Sequence, residues 1–482
     1  MSLDADACYR ALAAHDARHD GMFFVGVAST GIYCRPVCPA KTPKRENCSF
    51  FDNAAGAEQA GFRPCLRCRP EIAPGRSHVD RMNAWAARAI MRIEQGALND
   101  MSVDELASTL GVSERQLRRA VQDRYGVSPV QLAQTHRLLT AKRLLMDTRL
   151  PIGEIAEISG FSSLRRFNAC FQEKYRVAPS SVRKRGAPGI LDGVVKCELG
   201  YRPPFSWQNL LGFLQPRRLE CVEMVSGGAY ARTVRCGGLT GWLEVSPHPS
   251  RAALVVRLSD SLAPAMPKVL ARVRRLFDLE AEPEAIHAVL GSLSEQTPGL
   301  RLPGAFDGFE TAVRAILGQQ VTVRFAAQLA ARFVQAFGPP IETPFPELSQ
   351  IFPSPVEIAT LPIERVAELG IIRSRSKAIL SLAAAIAEGG LVLQPSADPD
   401  ATRSALLKIP GVGDWTADYI LMRCLSYPDA FPAADLGVLK ALGVKKAAQA
   451  VAIAERWRPW RAYAVMCLWQ GAALPLSGVD QP

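Results

Sequence analysis

The chain has 482 residues, 48% of them hydrophobic, and a net charge of +11. That length exceeds what one core needs and predicts three or four domains. No apolar run approaches the roughly 20 residues of a membrane span, residues 1–10 lack the shape of a signal peptide, and 12 cysteines in a chain this long do not make a secreted disulfide scaffold. A cytoplasmic protein with no membrane partner is expected. Lys+Arg against Asp+Glu is 9 to 8 in residues 1–75, 19 to 11 in 76–186 and 29 to 27 in 187–482. The basic excess therefore belongs to one segment, which predicts a polyanion partner there; a solvated face kept for solubility would not need such localisation.

Taken in order, residues 23–27 read as a short strand and Ser29-Thr30-Gly31 as a turn. Cys34-x3-Cys38 follows, then, after 26 intervening residues, Cys65-x2-Cys68. Two close cysteine pairs separated by a loop and a short helix (54–60) fit one zinc ion held by Cys34, Cys38, Cys65 and Cys68. Spacing alone favours a purely structural zinc knot. Cys48 reads as a small buried hydrophobe, and Cys8 lies in a helix-like segment with no evident partner.

The residues around the cysteines add to this. Thr30-Gly31-Ile32-Tyr33-Cys34-Arg35-Pro36-x-Cys38, Arg45-Glu46-Asn47 and Gly61-Phe62-Arg63-Pro64-Cys65-x-Arg67-Cys68 closely resemble the N-terminal domain of the Ada adaptive-response family. The resemblance covers nearly all of residues 1–75. It implies that Cys34 accepts a methyl group from a methylphosphotriester in DNA. Zinc keeps such a thiol as thiolate at neutral pH. Four thiolates on Zn²⁺ carry a net charge of −2, and one methylation lowers this to −1. Repulsion from the DNA backbone then falls, which makes repair an electrostatic switch.

Residues 79–95 read as a linking helix. Ser102 with Glu105 three residues on predicts a capped helix, and Gly111-Val112-Ser113 turns into a second helix carrying Arg115, Gln116, Arg118 and Arg119. A diverged copy follows: Pro151 to Ala156, Gly160-Phe161-Ser162-Ser163, then a helix with Arg165 and Arg166. Tyr125-Gly126-Val127-Ser128-Pro129 matches Tyr175-Arg176-Val177-Ala178-Pro179. Two helix-turn-helix units joined by a long helix (129–147) resemble the AraC family DNA-binding domain. The resemblance implies two recognition helices in successive major grooves, with the arginines and Gln116 as DNA contacts. Phe167 and Phe171 read as core.

A linker is expected at 184–189. Strands are expected at 194–199, 222–225, 229–236, 241–247 and 253–258, and a helix at 269–277. Beyond Phe309 the chain reads as helical. Its most informative stretch is Leu407-Lys408-Ile409-Pro410-Gly411-Val412-Gly413-Asp414-Trp415, a helix, a tight turn and a second helix. Gly411 and Gly413 let backbone amides approach a phosphate, and the second helix adds its positive N-terminus. About twenty residues later stands the carboxylate of Asp435.

Tyr201-Arg202-Pro203-Pro204-Phe205-x-Trp207, Leu211-Gly212-Phe213-Leu214, Arg275-Leu276-Phe277-Asp278-Leu279, Pro298 to Gly304 and Phe309 to Val321 resemble the AlkA-type 3-methyladenine glycosylases, from about Tyr201 to Gln470. The resemblance implies that Asp435 is catalytic, that Gln319 and Gln320 lie where a wedge enters DNA, and that Trp415, Tyr419 and Trp469 line a base pocket. Some relatives carry leucine at the Gln320 position. Aromatic faces attract the cationic purines made by N3 or N7 alkylation, by roughly 0.5–2 kcal/mol per contact. Relatives that also cut the strand use a Schiff-base lysine where Trp415 stands here, so a monofunctional enzyme is implied. Only Cys467 lies beyond the catalytic stretch, so no iron–sulfur cluster is expected; a monovalent cation at the hairpin is. The Pro-Cys-His-Arg motif of a methylguanine methyltransferase is absent.

The expected architecture is thus multidomain α+β. It comprises a four-cysteine zinc domain (1–75), an all-α AraC-type pair of helix-turn-helix units (76–186), an AlkA-type N-terminal α+β domain (193–303) and an all-α helix-hairpin-helix glycosylase domain (304–482). The expected function couples excision of alkylated bases to a methylphosphotriester acceptor and transcriptional activator. A competing expectation is a regulator whose glycosylase fold only recognises damage. The expected partners are alkylated and promoter double-stranded DNA and RNA polymerase, for a monomer associated with the nucleoid.

Overall fold

The computed structural model describes residues 3–75, 85–186 and 193–471. They fall into two compact units. One joins residues 1–203 to 234–271, the other 204–233 to 272–482. The segment expected as one α+β domain thus contributes to both.

In the first unit, the cysteine module is a four-stranded sheet in the order Cys48–Phe51, Phe24–Val27, Ile32–Cys34, Arg63–Pro64. Three strands are antiparallel and the last pairs parallel, Ile32 opposite Arg63 and Tyr33 opposite Pro64. That register sets Cys34 at the end of one strand beside Cys65 just past the other, with the Cys65 amide donating to the Tyr33 carbonyl at 3.0 Å. The short helix Ala54–Gln59 closes the sheet, capped by Asn53. Cys48 and Cys8 are buried in one apolar cluster with Leu12, Phe23 and Val25.

Seven described helices follow, from Trp85–Glu94 to Pro179–Gly186. Residues 79–84 of the expected linking helix lie outside the described residues. Ser102 and Glu105 close the expected capping box, at 3.1 and 2.7 Å. Phe167 and Phe171 are fully buried. Of the expected linker, residues 184–186 belong instead to the helix Pro179–Gly186, and 187–189 lie outside the described residues.

The long helix Pro129–Asp147 carries polar side chains into the interior. Lys142 is fully buried, and its Nζ donates to Glu71 Oε2 at 2.7 Å and to the Cys65 carbonyl at 2.8 Å. Arg69 forms a fork with both Asp147 oxygens at 2.7 Å and reaches Glu71 Oε1 at 3.0 Å. The Lys142 and Arg69 charges overcome burial and hold the Glu71 carboxyl down at about 2. Nearby, Glu58 accepts from Thr135 Oγ1 at 2.8 Å and lies 3.3 Å from Lys174 Nζ. The cysteine module and the helix-turn-helix segment therefore share a buried ionic seam. The strands Val194–Gly200, Ala253–Ser259 and Leu239–Pro247 complete this unit as neighbouring antiparallel strands.

In the second unit, Glu223–Ser226 pairs antiparallel with residues 229–232, joined by Gly227 and Gly228, both at positive φ. The helices Gly308–Leu317, Arg373–Ala387, Asp414–Cys424 and Arg461–Trp469 each contribute buried residues to the core. Two polar clusters are buried in it. Glu223 and Glu310 bind Arg232 and Arg314. Asp278 accepts from the Leu302 amide at 3.0 Å and the Tyr463 hydroxyl at 2.8 Å, yet burial raises its carboxyl to about 6.

Candidate active site

The helices Pro399–Leu407 and Asp414–Cys424 enclose the turn 408–413. Gly411 has φ +90°, a value that disfavours any side chain. Gly413 caps the second helix without a side-chain bond. Among the described residues, the amides of Gly411 and Gly413 have no protein acceptor. With the first-turn amides of the helix they make a donor-rich helix entrance suited to an anion.

The chain then reaches Asp429, which is buried and tied by Arg461 (Nε to Oδ1, 2.7 Å) and by Arg458. This anchor fixes the start of the loop that delivers Asp435. Asp435 caps the helix Leu436–Leu442, its Oδ1 accepting the Val438 amide at 3.0 Å. The same oxygen accepts Trp469 Nε1 at 2.9 Å, and Oδ2 accepts Trp415 Nε1 at 2.9 Å. Three donors thus fix the orientation of the Asp435 side chain.

The indoles belong to an aromatic group. Trp415 stacks on Tyr419 at 5.4 Å, Tyr419 meets Trp469 at 6.3 Å, and Trp469 stacks on Phe213 at 6.3 Å. These rings and Asp435 line a cleft of about 1380 Å³. Trp415 and Tyr419 converge because residues four apart share a helix face.

Sequence reasoning missed three lining residues. Phe213 stood in a recognised stretch but had no sign of its role. Arg423 is one further helical turn beyond Tyr419, which the spacing could have revealed; its Nη1 donates to the Tyr419 hydroxyl at 2.8 Å. Arg217 carried no signal at all.

Gln319 and Gln320 differ. The Gln319 Nε2 donates to the Gly411 carbonyl and to Thr416 Oγ1, both at 2.9 Å, so its side chain is committed to the hairpin. Gln320 is exposed, with φ +53°, an uncommon backbone for a side-chain-bearing residue.

In the cysteine module, the sulfurs of Cys34, Cys38, Cys65 and Cys68 all lie within 4.8 Å of one another. Four thiolates at about 2.3 Å from a zinc ion would lie about 3.8 Å apart, so the set fits. Amides support it: Arg35 N–H points to Cys68 Sγ at 3.4 Å and Arg67 N–H to Cys65 Sγ at 3.3 Å. The buried Arg35 side chain pairs with Asp20 and donates to the Cys68 carbonyl at 3.0 Å. Cys34 is the only one of the four that is not buried.

Arg115, Arg118, Arg119, Arg165 and Arg166 are exposed on the second helices of the two helix-turn-helix units. Gln116 is occupied otherwise: its Oε1 accepts the Ser113 amide at 2.9 Å in a capping box. Arg118 pairs with Glu114 one turn back.

Four family models match: the metal binding domain of Ada over 7–71, a helix-turn-helix domain over 106–185, the AlkA N-terminal domain over 196–307, and the HhH-GPD superfamily of base excision DNA repair proteins over 313–456. A helix-hairpin-helix repair fold joined to an Ada-type metal module and a helix-turn-helix segment defines the class. A probable bifunctional transcriptional activator/DNA repair enzyme AlkA of Mycobacterium tuberculosis (strain H37Rv) is 38% identical over 99% of this chain and 98% of its own. The chain belongs to the family of bifunctional transcriptional activator/DNA repair enzyme AlkA proteins. The DNA-3-methyladenine glycosylase 2 of Escherichia coli (strain K12) is 38% identical over 56% of this chain and 95% of its own. A 3-methyladenine DNA-glycosylase from Archaeoglobus fulgidus shares the fold of the C-terminal part, with a TM-score of 0.50 and 22% identity over 57% of this chain and 97% of that one.

Proposed function

We propose that this protein excises alkylated bases from DNA as a monofunctional glycosylase and, through its N-terminal half, accepts methyl groups from phosphotriesters and activates transcription. The glycosylase reading rests on one observation: both oxygens of Asp435 accept indole N–H bonds inside an aromatic cleft. The target nucleotide leaves the stack and its base enters the cleft. The C1′–N bond breaks with its electron pair going to the base. The Asp435 carboxylate balances the positive charge growing at C1′ and orients the water that adds there. Gly411, Gly413 and Gln320 are assigned to the DNA backbone and the duplex, and Trp415, Tyr419 and Trp469 to the base. Gln319 acts through the hairpin it holds.

Zinc bound by Cys34, Cys38, Cys65 and Cys68 would keep the sulfurs as thiolates at neutral pH. Cys34, as the accessible one, takes the methyl: an S–C bond forms, the C–O bond breaks, and the electron pair stays on the phosphate oxygen. Arg115, Arg118, Arg119, Arg165 and Arg166 are assigned to promoter DNA, with RNA polymerase as the partner of the activated form. A monovalent cation at the hairpin carbonyls belongs to the same reading.

Asp435→Asn should abolish release of 3-methyladenine from alkylated DNA while DNA binding survives; undiminished release would sink the role given to Asp435. Wild-type protein that binds alkylated DNA but frees no base would favour the regulator with a non-catalytic fold. Peptide mass spectrometry after incubation with methylphosphotriester DNA should find one added methyl on Cys34, and a methyl on another cysteine would overturn that choice.

A further inference from the structure

The short helix Ala54–Gln59 of the cysteine module touches the C-terminal ends of both second helices of the helix-turn-helix units, Glu114–Tyr125 and Leu164–Tyr175. At its entrance, Asn53 Oδ1 accepts the Gly56 amide at 2.8 Å, and Nδ2 donates to the Tyr125 carbonyl at 3.3 Å. Tyr125 is the last residue of the first of those helices. On the next turn, Glu58 reaches the other. Lys174, in the last turn of that helix, donates to the Glu58 carbonyl at 3.0 Å and lies 3.3 Å from its carboxylate. The same carboxylate accepts the Tyr33 hydroxyl at 3.1 Å and Thr135 Oγ1 at 2.8 Å. Glu58 is buried, so its three donors, from the sheet, the long helix and the second unit, hold it firmly in place.

Two bodies hung on one helix can tilt about it. The long helix Pro129–Asp147 is one connection between the two helix-turn-helix units, and the Tyr175 hydroxyl fastens the second unit to it through the Leu138 carbonyl at 3.2 Å. Asn53 and Glu58 supply another connection through a different element, which closes a loop of ties. The length of the lever decides how much this matters. Each second helix has 12 residues and is therefore about 18 Å long. A tilt of about 10° at its C-terminal end swings the opposite end by about 3 Å, against a rise of about 3.4 Å per base pair. Arg115, Arg118, Arg165 and Arg166 stand toward that opposite end. A small tilt would thus carry them by nearly one base-pair step.

Building on the assignment of the exposed arginines to promoter DNA, we propose that Asn53 and Glu58 are positioning residues that set the half-site spacing this protein accepts. Their target is one duplex carrying two half-sites in successive major grooves. Asn53 holds the end of one recognition helix and Glu58 the end of the other, and the six-residue helix that carries them keeps the two apart at a fixed distance. The arginines choose which base pairs are bound. The ties choose how far apart those base pairs stand, and they do so from within the cysteine module, through the helices they hold.

The test uses a duplex enriched by the full-length, zinc-bound protein from a random-sequence pool at low salt. Its two half-sites are located by footprinting, and one base pair is then inserted or removed between them. Wild type should lose about tenfold or more in affinity at either change. Asn53→Ser keeps a capping oxygen and withdraws the amide donor. The double variant Glu58→Gln with Lys174→Met removes the tie to the second unit without stranding a buried charge, and leaves acceptors for Tyr33 and Thr135. In both, the penalty for changed spacing should shrink to about threefold or less, with the parent duplex bound only a few-fold more weakly. Lys174→Arg, which keeps the charge and a donor, should restore the wild-type spacing profile. Variants that retain the full penalty overturn the proposal. So does an equal fall in affinity at every spacing, which is what a merely structural role or a partly unfolded variant would give. A failure of the promoter reading looks different: wild type would then enrich no sequence from the pool.

Discussion

Replacing Lys142 by Met tests whether the zinc module and the long helix of the helix-turn-helix segment are one cooperative structure. Lys142 Nζ, fully buried, donates to Glu71 at 2.7 Å and to the Cys65 carbonyl at 2.8 Å. Methionine fills the same space and offers no donor. The Glu71 carboxyl, ordinarily at 4.5, is held at about 2 in the folded protein. A depression of that size corresponds to about 3 kcal/mol of stability. Since the folded value is the lower one, this stabilisation is complete above pH 4.5 and is lost as pH falls toward 2. Arg69 remains beside Glu71 at 3.0 Å, so part of the effect survives the substitution. The orphaned Cys65 carbonyl adds its own cost, and breaking a buried pair typically costs about 3–5 kcal/mol. We therefore expect about 3 kcal/mol at pH 7, a drop of roughly 10 °C in the midpoint of heat-driven zinc release from the full chain. Adding Glu71→Gln should cost less than the sum of the two single changes, because it removes the stranded charge. A silent Lys142→Met, or strictly additive behaviour, would refute the reasoning.

Two further outcomes are expected. Asp278, raised to about 6 by burial, binds a proton more tightly folded than unfolded; stability of the C-terminal unit should fall by up to about 3 kcal/mol as pH rises from about 4 to 6. Asp278→Asn, followed by melting across that range, should flatten the dependence. Trp469→Phe keeps a ring in the cleft but removes one of the three donors to Asp435. Single-turnover release of 7-methylguanine should slow by roughly tenfold with DNA affinity unchanged, and a matching loss of affinity would indicate a collapsed cleft instead.

What could be read in the sequence was short-range or chemically distinctive. Capping residues, alternating strands and the buried Phe167 and Phe171 follow from local rules, and four cysteines in two close pairs left few alternatives. Asp435 and the Trp415–Tyr419 pair stood in recognisable patterns, whereas Trp469, 34 positions beyond Asp435, was placed by resemblance alone. The unread part depends on distant encounters. Lys142 resembles any basic residue on a basic helix until Glu71, 71 positions earlier, meets it. Phe213 and Arg217 line the cleft with Trp415 and Asp435, some two hundred positions further along the chain. The Ser113-x-x-Gln116 spacing is legible as a capping box, and the structure forms it.

The bond from Gln319 to the Gly411 carbonyl has a mechanical meaning. It bolts the turn that presents Gln320 to the turn that presents the hairpin amides. The two tips then act as the fixed jaws of a caliper. Neither tip can shift without carrying the other, so on the proposed reading the spacing between backbone contact and wedge is fixed by one side chain, Gln319.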